Sequence, residues 1–279
     1  MIQQGKYNLL YVTRKTQAGY WLTDDEGNEA ILFQRETENE IPAGTEMDVF
    51  VYSDAENPFI ATLKKPALVL NEFGYLECLS VNSAGAFLNW GIDKDLFVPF
   101  REQAKTMEEG KSYLVYLYFD EISQRLTASG KFNKFFEKEN ITLQPKEEVS
   151  LMVADQTELG FNAIINNRYK GLIYRNEIFR PLHTGDRIKG YVKQVREDGK
   201  IDLRLQKEGF SHTRDNETII LEKLKEKGGF LPLGDDSSPD EISIVLGISK
   251  KSFKKTIGAL YKKRLISLEK TGIKLVEGK

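Results

Sequence analysis

Cysteine and histidine are scarce in this chain of 279 residues: one cysteine, Cys78, and two histidines, His183 and His212. A single cysteine cannot close an intrachain disulfide, so a reducing, cytoplasmic setting is expected. Three soft ligands are too few for an ordinary zinc site, so no metal and no cofactor is expected. Long apolar runs are missing as well, and a membrane-spanning helix needs about 20 such residues. The opening "MIQQGKYNLLYV" has no charged stretch leading into an apolar core, so no secretory leader is expected. No Walker loop or dinucleotide fingerprint occurs, which argues against nucleotide-driven chemistry. The acidic pairs Asp24–Asp25, Glu147–Glu148 and Asp235–Asp236 fall in loops or at strand starts. Adjacent acids on a strand point to opposite faces and make poor metal clamps. These absences leave a binding protein, with no small-molecule substrate and no membrane partner, as the expected class.

What is present is ordinary for a globular chain, 40% hydrophobic and 29% charged with a net charge of −2. The total conceals an asymmetry. Residues 1–65 carry 6 basic against 11 acidic side chains, and residues 66–130 carry 5 against 9. The balance reverses to 12 against 9 in 145–207 and 14 against 10 in 212–279. A basic second half points to a polyanion as its partner.

A repeat organises the first two-thirds. Gly19, Gly85 and Gly160 open the stretches "GYWL", "GAFL" and "GFNA". Seventeen residues on stand Glu36, Glu102 and Glu177, and eight further on Gly44, Gly110 and Gly185. Each copy alternates apolar and polar residues before and after its first glycine, adds a short strand ("EAILF", "DLFVPF", "KGLIY"), and ends in two more strands. In the third copy "EDGK" supplies an Asp-Gly hairpin signal between those last two. Five short strands in roughly 65 residues describe an OB-type Greek-key barrel, with the first glycine bending the second strand around it. The expected fold is mainly β with a C-terminal α+β domain: barrels over 1–65, 66–142 (with a linker) and 143–210, then a last domain over 211–279. The linker "SGKFNKFFEKENITLQP" reads equally as a helical spacer or a flexible hinge.

"GAFL…DLFVPFREQ…G" and "GFNA…KGLIYRNEI…GD" resemble the S1 motif, an OB-type RNA-binding module. The motif's histidine position is occupied here by Phe33, Pro99 and Tyr174, and its serine position by Arg35, Arg101 and Asn176. The first copy is the most divergent. The resemblance implies that aromatics on the second and third strands stand on the outer face and stack unpaired bases, at about 1–3 kcal/mol each. The third copy offers Phe161 and Tyr174, with Arg168, Lys170, Arg175, Lys189 and Lys193 for phosphates. The second offers Phe87 with Phe97 or Phe100, and the first Tyr20 or Trp21 with Phe33. In those two copies acidic surroundings oppose a phosphate backbone and favour a structural or protein-contact role.

Beyond "LQKEGFSHTR" the period becomes helical. "NETIILEKLKEKGG" places Ile219, Leu221 and Leu224 on an apolar stripe. "SPDEISIVLGIS" begins with Ser238 as N-cap, Pro239 at the first helical position and Glu241 at the capping-box position. Ser249 caps the next helix, "SKKSFKKTIGALYKKR", whose buried stripe is Phe253, Ile257, Leu260 and Tyr261. "LISLEKTGIKLVE" reads as two short strands, the wing of a winged helix. Lys250, Lys251, Lys254, Lys255, Lys262, Lys263 and Arg264 follow one another with no acid between, and a run so rich in lysine suits phosphate more than base-reading.

The succession of S1-like copies and a winged helix resembles the CvfB family of bacterial RNA-binding regulators over essentially the whole chain. "LFVPFREQ" and "SPDEISIVLGISKKSFKKTIGALYKKRLI" carry the resemblance most specifically. It implies cytoplasmic, non-enzymatic binding of single-stranded RNA and an influence on gene expression, with RNA-processing or translation proteins as candidate further partners. Two other readings stay open: a winged-helix regulator of DNA transcription, and an accessory module of an RNA-processing or nuclease complex.

Overall fold

Each copy of the repeat forms the strands its alternation predicts. In a computed structural model, which describes residues 1–178, 180–206 and 213–276, the chain divides into Met1–Gln206 and Lys207–Lys279. The expected boundary after residue 210, and His212, lie outside the described residues. The first copy comprises β1 (Lys6–Lys15), β2 (Gly19–Thr23), β3 (Glu29–Phe33), β4 (Glu46–Tyr52) and β5 (Ile60–Thr62), closed in the order β1-β2-β3-β5-β4. The second holds β6 (Phe73–Val81), β7 (Gly85–Leu88), β8 (Leu96–Pro99), β9 (Ser112–Asp120) and β10 (Arg125–Ser129). The third holds β11 (Glu148–Gln156), β12 (Gly160–Ile165), β13 (Tyr169–Tyr174), β14 (Arg187–Val195) and β15 (Ile201–Arg204), again a closed barrel. Parallel pairs close both barrels, Ile31 with Ile60 and Leu172 with Asp202 among them.

The second copy departs from the expected closed barrel. Its strands run β10-β9-β6-β7-β8, a curled sheet whose two edges carry no ladder between them. Pro99 has no N–H to give at that edge. One donor is thus missing for a parallel pairing with β10.

The repeat's three fixed residues each have a structural reason. A Cβ on Gly19, Gly85 or Gly160 would lie 2.1, 2.3 or 2.0 Å from a carbonyl oxygen of the neighbouring strand. The first glycine is therefore needed for close approach as well as for bending. Gly44, Gly110 and Gly185 have φ of 84°, 76° and 93°, the left-handed region that glycine enters without penalty. Their N–H groups bond back to Val12, Cys78 and Val153 of the first strands. The glutamate sits on a 3-10 turn after the third strand. Glu36 accepts from the Thr62 hydroxyl and the Leu63 N–H, both at 2.7 Å, and Glu102 accepts from the Ser129 hydroxyl. Both tie that turn to the end of the fifth strand; Glu177 is held instead by Lys193 of β14 at 3.0 Å.

The linker is neither a helical spacer nor a hinge. Apart from one 3-10 turn (Phe132–Phe135) it is irregular, and it is wedged between the second and third copies by aromatic packing. Phe136 stacks on Phe73 at 4.9 Å and Phe135 on Tyr116 at 4.2 Å. Met152, Ala154 and Ile164 complete this cluster from the third barrel.

The C-terminal unit holds α1 (Thr213–Glu226), β16 (Phe230–Leu231), α2 (Pro239–Leu246), α3 (Lys250–Lys262), β17 (Ile266–Glu269) and β18 (Gly272–Leu275). The Ser238–Glu241 capping box forms, Gly247 ends α2 in the left-handed region, and Ser249 caps α3. The wing strands pair as expected, and β16 adds a third strand. Two packing expectations fail. Ile220 rather than Ile219 joins Leu224 in the core, and Tyr261 is 54% exposed while Phe253, Ile257 and Leu260 are buried.

Candidate nucleic-acid interface

Cross-strand register decides which side chains face outward. In the third barrel Gly160 pairs with Tyr174, Phe161 with Ile173, and Asn162 with Leu172. Ile173 is fully buried in the barrel core, and Phe161 packs against that core from the same face. The expectation of Phe161 as an outer-face platform is therefore corrected: it follows its glycine by one residue, whereas Trp21 and Phe87 follow theirs by two. At that outward position the third barrel has Asn162.

The outer face of this barrel is an open groove of about 830 Å³. Asn162, Leu172 and Tyr174 lie along it, the β11–β12 loop (Thr157, Glu158, Leu159) forms one wall, and the β14–β15 loop with the linker residues Asn133 and Phe136–Lys138 encloses the rest. Faces made by strands two and three between these two loops are where OB barrels take oligonucleotides. On the floor the Tyr174 hydroxyl donates to Asp202 Oδ1 (3.3 Å) and accepts from the Arg196 guanidinium. The same guanidinium grips Asp202 with two nitrogens, Nε to Oδ2 and Nη2 to Oδ1, each 3.0 Å. Gln194 donates to Oδ2 at 2.6 Å. The hydrogen bond to Asp202 raises the pKa of Arg196 above its ordinary value.

Of the basic candidates on this barrel, only Lys170 lines the groove, its Nζ 3.1 Å from Asn133 Oδ1. Arg168, in the β12–β13 turn, is ion-paired with Glu137 and lies 5.2 Å over the Tyr169 ring. Lys189 and Lys193 on β14 hold Glu148 (2.8 Å) and Glu177 (3.0 Å). Arg175 is exposed on the 3-10 turn. Sequence reasoning missed Arg196 and Asp202. The signal was there: Asp202 alternates with the core residues Ile201 and Leu203, so a charged side chain there faces outward.

The same face of the first barrel is put to another use. Ile31 and Ile60, equivalent by register to Leu172 and Asp202, are buried with Phe50 and Tyr52 against Trp90 and Leu68 of the second copy. Trp21 and Phe33 pack on the edge of that cluster, under Arg14 and Arg35 at 4.9 and 4.8 Å. Burial pushes the Tyr52 hydroxyl up to about 12. In the second copy Phe87 and Phe97 pair with ring centroids 5.2 Å apart, half-buried, while Phe100 is exposed. Phe87 and Phe33 share a cleft of about 430 Å³ with Asp54, Asp93 and Asp95.

On the winged helix, Lys251, Lys254 and Lys255 are exposed along α3 and Lys250 is half-buried at its start. Lys254 lies 3.5 Å from Asp235, and Lys263 is held by Glu217 at 2.7 Å. Among the described residues no group of three or more metal-ligating side chains converges, and no helix is long and apolar enough to cross a membrane.

Comparison with known proteins adds the following. Residues 218–275 match the CvfB-like winged helix domain, and residues 4–64 match the S1 domain, although sequence reading ranked that copy the most divergent. Conserved virulence factor B of Staphylococcus epidermidis is 26% identical over 98% of this chain and 95% of its own length. The Bacillus subtilis protein YitL, itself uncharacterised, is 26% identical over 94% of this chain and 90% of its own. A solved structure from Streptococcus pneumoniae, described as a multidomain protein with nucleic acid binding domains, is 22% identical with a TM-score of 0.43 over 98% of both chains.

Proposed function

Because the chain belongs to the CvfB-like family, with an S1 domain and that family's winged helix, we propose that it binds single-stranded RNA without catalysing a reaction. The third barrel and the winged helix supply most of the affinity. The observation that carries this reading is the contrast between two equivalent faces. In the first barrel the face is apolar and packed against its neighbour; in the third it is open and grooved, with Lys170, Tyr174, Arg196 and Asp202 among its lining residues.

Within the groove Tyr174 offers a ring for an unpaired base, and Arg196 and Lys170 offer donors for phosphate. On the winged helix, the exposed lysines of α3 offer phosphate contacts of their own without reading bases, which suits a strand of relaxed sequence. On this reading the protein works in the cytoplasm and acts on gene expression after transcription. The test is the affinity of full-length protein for labelled single-stranded RNA against duplex DNA of the same sequence. Preference for the single strand, lost in Tyr174→Ala, supports the reading; preference for the duplex replaces it with a DNA-binding regulator.

A further inference from the structure

An RNA groove with a carboxylate at its floor needs an explanation, since a fixed negative charge repels the phosphate backbone. Asp202 is only 4% exposed, and burial of a charge is costly unless it is paired and hydrogen-bonded. It is paired: the two oxygens accept from both nitrogens of the Arg196 fork, from Gln194 and from the Tyr174 hydroxyl. A two-point fork fixes the plane of a guanidinium, which a point charge does not. The tyrosine hydroxyl, donating to Asp202 and accepting from Arg196, fixes the direction of its ring. Nothing comparable exists in the first barrel, where the equivalent of Asp202 is Ile60 and the face is covered.

We infer that Asp202 is a positioning residue for RNA: it holds the Tyr174 ring and the Arg196 guanidinium as one preassembled nucleotide subsite, and its contribution to affinity outweighs its own repulsion of phosphate. The inference rests on the groove being the RNA site, and its tests separate the two claims.

The sign of the effect is diagnostic. Asp202→Asn removes one negative charge from the groove, so electrostatics alone tighten RNA binding. Positioning gives the opposite, a loss of about five- to tenfold at fixed salt, the scale of one net hydrogen bond. The probe is a labelled oligouridylate of about a dozen nucleotides, bound to full-length protein whose melting curve is recorded alongside.

A double-mutant cycle distinguishes action through Arg196 from a general loss of barrel integrity. In an Arg196→Ala background, Asp202→Asn is expected to change affinity by less than about twofold. Equal loss in both backgrounds makes Asp202 merely structural and overturns the inference. Arg196→Lys, which keeps the charge and loses the fork on a partly exposed side chain, is the second variant. It is expected to bind about as weakly as Arg196→Ala, and wild-type affinity in Arg196→Lys overturns the inference. If Tyr174→Ala weakens binding while Asp202→Asn leaves it unchanged or tightens it, the groove stands and the positioning role falls. If neither Tyr174→Ala nor Arg196→Ala weakens binding, the groove is not the RNA site and both claims fall.

Discussion

At the scale of single residues, the glutamate of the repeat is a fastener rather than a ligand. Burial alone would raise the pKa of Glu102, but hydrogen bonds from Ser129 and Lys134 outweigh it and hold the carboxyl below the ordinary glutamate range. A carboxyl depressed in the folded state stabilises above its unfolded value, near pH 4.3, and that contribution disappears as pH falls through the folded value. Glu102→Gln is accordingly expected to cost about 1–2 kcal/mol at neutral pH. Melting curves of wild type and variant should converge as pH falls below the ordinary glutamate range; a gap that persists in strong acid contradicts the assignment. The recurring glutamate was plain in the sequence because its spacing is fixed. Its partners, Thr62, Ser129 and Lys193, were not, because nothing local links them to it. The outward direction of Asp202 was legible from alternation, but its partnership with Tyr174, on another strand, was hidden by the same limit.

At the scale of elements, the first glycine of each copy is set by a crossing. A methyl on Gly160 would meet the Ile173 carbonyl at 2.0 Å, and its nearest neighbours are all backbone, so no flexible side chain can yield. Gly160→Ala is expected to destabilise the third barrel by at least about 2 kcal/mol. Thermal melts should show an early transition, and RNA affinity should fall with it; a barrel melting as wild type would mean the strands can separate freely. Alternation and turn chemistry made most strands legible, and caps at Ser238, Gly247 and Ser249 made α2 and α3 legible to their ends. Which face an aromatic takes was harder. Phe161 and Phe87 look alike in sequence, yet an offset of one residue from the glycine turns Phe161 inward, because side chains alternate with a period of two. Openness of the second sheet was hidden for a different reason: it involves Pro99 at an edge that comes near β10 only when the sheet curls.

At the scale of the whole chain, the acidic and basic halves have different tasks. The first two copies bury their shared apolar faces in one cluster, and the linker then locks the second copy to the third through Phe132, Phe135 and Phe136. The same linker walls the groove. Phe136→Ala removes a ring that is stacked on Phe73 and only 8% exposed, a loss of about 3–5 kcal/mol in a well-packed site. Faster proteolysis between residues 130 and 145 is the expected outcome, together with weaker RNA binding. Unchanged proteolysis and affinity would show that the wedge does not hold the wall.

The most direct test of the account is the affinity of full-length wild type, Tyr174→Ala and Lys254→Ala/Lys255→Ala for labelled single-stranded RNA across a salt series. Loss of the tyrosine should weaken binding about 5- to 150-fold, the value of one stacked base, and leave the salt slope unchanged. Loss of the two lysines should lower the slope by about 2. Wild-type affinity in Tyr174→Ala, with duplex DNA bound in preference to the single strand, would contradict it.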